Sequence, residues 1–268
     1  MKRLVLDIET SPILAYSWGL WNQNIGINQI KRPSRMISVA AKWYGEKKVY
    51  FWSDFHSGHR AMVEGIYNLI GDADAVIHYN GERFDMKHLR REFLQFDLGP
   101  EKPVANIDLL RAIKSKIDLP SYKLEYVASV LLGLDGKLQH TGFTMWAQCL
   151  DALAELEKPE DQRDEDVVKA GEKAWSLMRR YNIQDVRVTE QVYDRIRPWM
   201  HNHPSWALHA EDVNPDTIRC PNCGSEDFQR RGFKATLQST YQQYRCNSCG
   251  AWYRGTKAMN RVHLRGNA

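Results

Sequence analysis

Two kinds of side chain in this 268-residue chain are spaced for chemistry: carboxylates and thiols. Asp7 and Glu9 interrupt the apolar run Leu4, Val5, Leu6 and Ile8 in Lys2 to Thr10. The run reads as a strand buried on both faces. Side chains two apart on a strand point the same way, so both acids leave one face at the end of a central strand. Unpaired buried carboxylates are costly, and a divalent cation held by their oxygens relieves that cost. The alternative for this pair alone is a strand end whose acids are solvated in a loop. In His78-Tyr79-Asn80-Gly81-Glu82-Arg83-Phe84-Asp85 a strand ends, a glycine allows a tight turn, and Asp85 opens a helix pointing back at the sheet edge. Tyr181 and Asp185 are four apart, so a helix puts them on one face with Val188 and Val192, looking inward.

Cys220-Pro-Asn-Cys223-Gly and Cys246-Asn-Ser-Cys249-Gly form two near-identical pairs separated by 22 residues. Outside oxidising compartments this spacing indicates structural Zn2+ held tetrahedrally by four thiolates, a zinc ribbon. A redox role is the weaker alternative. Gly224 and Gly250 permit the left-handed turn that such knuckles need. The module is too small for a good core, so zinc binding would supply its folding free energy. Residues 219–268 hold nine Lys or Arg against Glu226 and Asp227, a charge of +7, while the remainder carries −3. Arg230, Arg231, Arg245 and Arg254 alternate with aromatics such as Phe233, Tyr244 and Trp252, which suits a nucleic-acid strand. Two alternatives stand beside that reading: aromatics that pack the ribbon beneath solvated charges, and a ribbon that docks a replication or repair protein.

The elements that must position these groups follow from periodicity and turn residues. Met36 to Tyr44 and Lys47 to Trp52 read as a hairpin across Gly45-Glu46. Arg60 to Ile70 and Phe84 to Phe96 read as helices, and Ala75 to Tyr79 and Val104 to Leu110 as strands. A helix from Leu124 stops at Gly133. Leu150 to Lys169 is acidic and is read as peripheral; helical patterning then runs from near Val168 to Met200. The expected fold class is α/β, a mixed sheet flanked by helices, with a separate small module. The expected division is a catalytic domain over 1–200, a proline-bearing linker over 201–218 and the ribbon over 219–268. Apolar content of 43% and charged content of 26% are those of a soluble globular protein, with no run long enough to span a membrane. No apolar signal segment precedes the first strand, so the expected location is the cytoplasm of a bacterium, or of the host cell for a viral protein.

Asp7-x-Glu9, Asn80-x-x-x-Phe84-Asp85 and Tyr181-x-x-x-Asp185, in that order, resemble the three motifs of the DEDD exonucleases of the ribonuclease-H-like superfamily, in the tyrosine subclass. The Asn-x-x-x-Phe-Asp form is most similar to the proofreading domains of family-B DNA polymerases. Ser121-Tyr122-Lys123-Leu124 resembles a segment those domains carry between the second and third motifs. The resemblance covers about residues 1–200. It implies a ribonuclease-H-like fold and a two-metal phosphodiesterase acting at the 3′ end of single-stranded DNA. Asp7, Glu9, Asp85 and Asp185 would hold two Mg2+ or Mn2+ ions, with Asp7 bridging them. Tyr181 would orient the attacking water; with an ordinary pKa near 10 it is a poor base. Thr10, Asn80, Phe84 and Lys123 would meet the strand. A 3′–5′ exoribonuclease is the nearest alternative, and a nucleic-acid-binding adaptor with a vestigial nuclease body is the rival of another class.

Other side chains receive plainer readings. Trp18 and Trp21 are expected to pin their long loop to the core, with stacking on bases near the site as the alternative. Asp108 is expected to cap or turn, and Cys149 to be an inert buried thiol. The irregular spacing of His201, His203 and His209 points to surface histidines.

Overall fold

A computed structural model of the chain describes residues 1–134, 142–200, 203–209 and 217–263. It separates into two compact units, Lys2–Tyr193 and the residues from Asp194 onward.

The first unit runs β1 (Arg3–Thr10), β2 (Leu14–Ala15), β3 (Ile30–Arg32), β4 (Met36–Trp43), β5 (Tyr50–Ser53), α1 (His59–Gly71), β6 (Ala75–His78), α2 (Asp85–Gln95), β7 (Ala105–Asp108), α3 (Leu109–Lys114), α4 (Leu124–Leu132), α5 (Phe143–Leu156) and α6 (Glu165–Ile196). Its main sheet has the order β5-β4-β1-β6-β7, which makes β1 the central strand. β4 pairs with β1 antiparallel, Asp7 opposite Ala40, and β6 pairs with it parallel, Leu4 opposite Val76. β7 continues the parallel half. This is the mixed sheet expected.

Alternation along β1 decides which layer each side chain enters. Leu4, Leu6 and Ile8 are buried against Met62, Ile66 and Ile70 of α1 and Met86, Leu89 and Phe93 of α2. Burying each such side chain contributes about 1.5–3 kcal/mol. On the other face Ile37 of β4 packs with Met145 and Cys149 of α5 and with Ala174, Trp175 and Met178 of α6. On this face β1 turns Arg3, Asp7 and Glu9, along with the buried Val5, toward α6: the Arg3 guanidinium donates to the Tyr193 hydroxyl at 2.7 Å. Lys42 of β4 pairs with Glu190. Both sheet faces are thus sealed by apolar packing, and on the second α6 also supplies polar partners to β1 and β4.

A second polar cluster braces the first layer. His59 lies between Asp54 at 2.6 Å and Glu92 at 2.9 Å, and Glu92 accepts from the Met36 backbone at 3.0 Å. Burial alone would push the His59 imidazole down, but the two carboxylates outweigh it and hold it up at about 9. Burial would raise Glu92; its hydrogen bonds from His59, Met36 and Arg91 bring it down to about 2.

Four expectations from the sequence are corrected. The acidic stretch beginning at Leu150 is not wholly peripheral. It completes α5, whose Met145, Cys149 and Ala152 are fully buried at helical spacing while Asp151 faces outward. The strand expected over Val104 to Leu110 ends at Asp108, where α3 begins. Trp18 and Trp21 pin nothing: they are 96% and 82% exposed. Cys149 is buried as expected, and burial pushes its thiol up to about 12. His203 is buried rather than on the surface, and its Nδ1 lies 2.7 Å from the Pro204 carbonyl. His201 lies outside the described residues, as do 210–216 of the expected linker.

The second unit is built on β8 (Phe228–Ala235), β9 (Ser239–Cys246) and β10 (Trp252–Arg261), an antiparallel sheet of order β10-β9-β8. One cysteine pair precedes β8, and the other closes β9.

Candidate active site

Asp7 and Glu9 leave the same face of β1, toward α6. One oxygen from each, with one from Asp185 of α6, lies within 4.8 Å of the other two. Asp85 approaches from the first turn of α2, where its Oδ1 accepts from the Ile8 backbone N–H at 3.2 Å. All three motifs therefore arrive at the end of β1. The chemistry of this donor set suits a hard divalent cation, since every ligand is a carboxylate oxygen. Its electrostatics favour neutralisation. Burial pushes the Asp7 carboxyl well above its ordinary range, and the charges of Asp85, Glu9 and Asp185 push it further. Burial raises Asp85 to about 7. Protons or cations must neutralise the cluster.

Tyr181 lies on α6 one turn before Asp185, and its hydroxyl hydrogen-bonds that carboxylate. Burial first, then the charges of Asp185, Glu9 and Asp7, hold the phenol far above its ordinary value. It stays protonated, so it can donate a hydrogen bond and is not a base. Trp146 of α5 meets the ring edge-on at 6.2 Å.

Asn182 was missed in the sequence. It is fully buried, its Nδ2 donates to Asp7 Oδ2 at 2.6 Å and to the Asp7 carbonyl at 3.2 Å, and its Oδ1 accepts from Ser38 at 3.2 Å. It fixes the rotamer of Asp7. The available signal was spacing: Asn182 and Asp185 are three apart, hence on one helix face.

The turn that presents Asp85 is held by Asp108. Its Oδ1 accepts from the Asn80 N–H at 3.1 Å and from the Arg111 N–H at 3.2 Å, capping α3, and its Oδ2 accepts from the Glu82 N–H at 3.3 Å. Asp108 thus has the capping and turn role expected. Asn80 sits in the left-handed region at φ 68°. Gly81 donates its N–H to His78 Nδ1 at 3.0 Å, so this nitrogen is the acceptor, and burial holds the ring below its ordinary pKa. A Cβ on Gly81 would lie 2.4 Å from the buried His78 ring. Gly81→Ala should therefore cost about 1–3 kcal/mol, as overpacked sites do. Its melting temperature should fall by several degrees, and activity should fall with it as Asp85 moves. An unchanged melting curve would show that the turn yields freely.

Thr10 ends β1 partly exposed, where the pairing with β4 shifts register. Phe84 is half-exposed at the start of α2 and lies against His88, with ring centres 4.6 Å apart. Lys123 is exposed at the N-cap of α4, and the Tyr79 hydroxyl ties that segment down through the Tyr122 carbonyl at 2.6 Å.

The four cysteines converge in the second unit, with one sulfur of each within 4.8 Å of the others. Both pairs have the same turn. The N–H of Gly224 donates to the Cys220 carbonyl at 2.8 Å, and that of Gly250 to the Cys246 carbonyl at 2.9 Å; both glycines have φ of 77°. The left-handed turns expected are present. Backbone N–H groups of Cys249 and Ser248 and neighbouring thiols outweigh burial and bring Cys246 below its ordinary value, while burial holds Cys249 above its own and pushes Cys223 up to about 11. Arg230, Arg231, Arg245 and Arg254 are exposed on the adjoining sheet, and Arg254 lies over the Tyr241 ring at 4.0 Å.

A central strand carrying two carboxylates, met by a third from a helix start and a fourth from the last long helix, defines a ribonuclease-H-like nuclease fold. The chain belongs to the RNase_H superfamily, whose sequence profile matches residues 4–197. No curated protein sequence matches it. Among solved structures it is similar to the family B DNA polymerase from the hyperthermophilic archaeon Pyrobaculum calidifontis, at 15% identity and a TM-score of 0.50. The match covers 74% of this chain and 24% of the polymerase, so the chain spans about a quarter of that protein's length. Among the described residues, no helix is long and apolar enough to cross a membrane.

Proposed function

We infer that the chain is a metal-dependent 3′–5′ exonuclease acting on single-stranded DNA. The observation that carries this reading is the meeting of Asp7, Glu9 and Asp185 within 4.8 Å, with Asp85 held beside them through Ile8. These four carboxylates would hold two Mg2+ or Mn2+ ions, which supply an activated water and charge stabilisation at the leaving oxygen when bound. Asn182 fixes Asp7, and the protonated Tyr181 orients the nucleophile with a hydrogen bond. Thr10 and Phe84, each next in sequence to one of the carboxylates, would receive the terminal nucleotides together with Asn80 and Lys123. The cysteine tetrad would hold a structural Zn2+, since four thiolates suit a tetrahedral site. The basic sheet beside it would hold the strand farther from its end. A 3′–5′ exoribonuclease shares every one of these features, and only handling of the 2′-hydroxyl separates the two. The adaptor reading is disfavoured, because all four carboxylates and the tyrosine are in place.

The test compares linear and circular single strands of the same sequence, as DNA and as RNA. Linear DNA should be digested with magnesium, and circles should survive. Faster digestion of RNA would move the assignment to an exoribonuclease. Cleavage of circles would show an endonuclease and overturn the reading.

A further inference from the structure

Between β1 and β4 the chain leaves the sheet for 25 residues, Ser11 to Arg35, as an arm. The arm starts two residues past Glu9 and returns just before Met36, which pairs with Thr10. Its base is closed by backbone bonding of Ser11 to Arg35 at 2.8 Å and by Ser34 donating to the Ser11 carbonyl at 2.6 Å. Its stem is the short β2–β3 ladder, extended by Tyr16 bonding to Gln29 at 3.0 Å. The arm is therefore built, not loose, and it is rooted at the end of the strand that carries two of the four carboxylates.

What it displays is unusual for a soluble surface. Tyr16, Trp18 and Trp21 are 68%, 96% and 82% exposed, with Leu20 and Ile27 equally bare. Rings that stabilised the arm would be turned inward; these are turned out, as at binding surfaces. Charge narrows the class of ligand. Ser11 to Arg35 contains Lys31, Arg32 and Arg35 and no acid, whereas the rest of residues 1–218 holds 25 bases and 31 acids. Lys31 is carried on the Tyr16 ring, with Nζ donating to the hydroxyl at 3.2 Å. Arg32 reaches Glu157 at 3.5 Å, with both side chains exposed, a pair that competes weakly with a phosphate. Flat rings beside cations on an otherwise acidic body match unstacked bases joined by phosphates.

We propose that the Ser11–Arg35 arm is a binding site for single-stranded nucleic acid, in which bases stack on Trp18 and Trp21 and phosphates meet Lys31 and Arg32. This rests on the reading that the carboxylate site acts on a strand, and it assigns where that strand runs beyond its last nucleotides. A duplex cannot use the arm, because its bases are already stacked on one another.

The test is Trp18→Ala/Trp21→Ala in the full chain. Affinity for a labelled oligothymidylate is measured by anisotropy in buffer without magnesium or manganese, where nothing is cut and zinc is kept. Hydrolysis of a p-nitrophenyl ester of thymidine 5′-phosphate, which has no strand to stack, is measured with magnesium. Stacking is lost at about tenfold per ring, so affinity should fall on the order of a hundredfold, with at least tenfold expected if the ribbon retains part of it. Hydrolysis of the small ester should be unchanged, and Trp18→Phe/Trp21→Phe should restore most of the affinity. Both rings are exposed, so the alanine variant should keep its melting temperature. Affinity within twofold of the parent would overturn the proposal. So would unchanged affinity in a variant that sediments as a smaller species, because the arm would then be covered by a second copy. If the parent cuts neither strand nor ester while the variant still loses affinity, the arm stands and the nuclease reading falls.

Discussion

Asp7→Ala is expected to lower turnover on single-stranded DNA by on the order of a thousandfold or more, because the metal contribution to phosphodiester hydrolysis is large. The loss should come without loss of the fold, and stability provides the control. Asp7 and Asp85 are carboxyls whose folded pKa lies above the unfolded value, Asp85 at about 7. The folded state then binds more protons than the unfolded chain. Without metal, stability should fall as pH rises from the ordinary carboxyl range through about 7. Asp7→Asn removes one repelling charge and leaves a side chain that can still bond Asn182. At about pH 8 in chelator, this variant should melt several degrees above the parent. Magnesium should raise the melting temperature of the parent and do much less for the variant. A fully active Asp7→Ala protein would remove Asp7 from the site. A metal-free Asp7→Asn protein less stable than the parent would show that the carboxylates do not repel as their burial implies.

Cys223→Ser is expected to unfold the cysteine module. The three strands of that unit bury few large apolar side chains; among its described residues the fully buried positions are chiefly Cys220, Cys246 and Ala251. Zinc binding by four thiolates, at about 10–16 kcal/mol in small zinc modules, would then carry the folding free energy. Loss of one thiolate, or zinc chelation, should abolish the near-ultraviolet signal of Trp252 and release zinc to a chromophoric chelator. Digestion of short oligonucleotides should persist, since the carboxylates belong to the other unit. Affinity for long strands should fall, along with part of its salt dependence, because phosphate contacts release counterions. A module that keeps its signal in chelator would show that its strands fold without metal. Unchanged affinity and salt slope would make a protein the better target of the ribbon.

The carboxylate site was legible because each acid sits in a pattern with one geometric consequence. Asp7 and Glu9 obey the period of two, Asp85 follows a strand, turn and helix start, and Tyr181 and Asp185 obey the period of the helix. Convergence at one sheet edge then needed only the order of the elements. The cysteine turns were legible for the same reason, since Gly224 and Gly250 have one conformational use there. Asn182 was passed over because an amide carries no charge to make its burial conspicuous, although it shares a face with Asp185. α5 was half-hidden because its buried stripe of Met145, Cys149 and Ala152 begins before the acidic stretch that drew attention. The arm was misread for a more general reason. Composition cannot distinguish a tryptophan that anchors a loop from one that the loop displays, and only the exposure of Trp18 and Trp21 separates them.

The central claim, that these carboxylates cut nucleotides from a 3′ end, is tested most directly by one digestion followed with two labels. A single-stranded DNA oligonucleotide labelled at its 5′ end should shorten as a ladder with magnesium and remain intact in chelator. The same oligonucleotide labelled at its 3′ end should release the label as a mononucleotide from the earliest time. Immediate release of mononucleotide from the 5′ label, or internal fragments before either ladder, would contradict it.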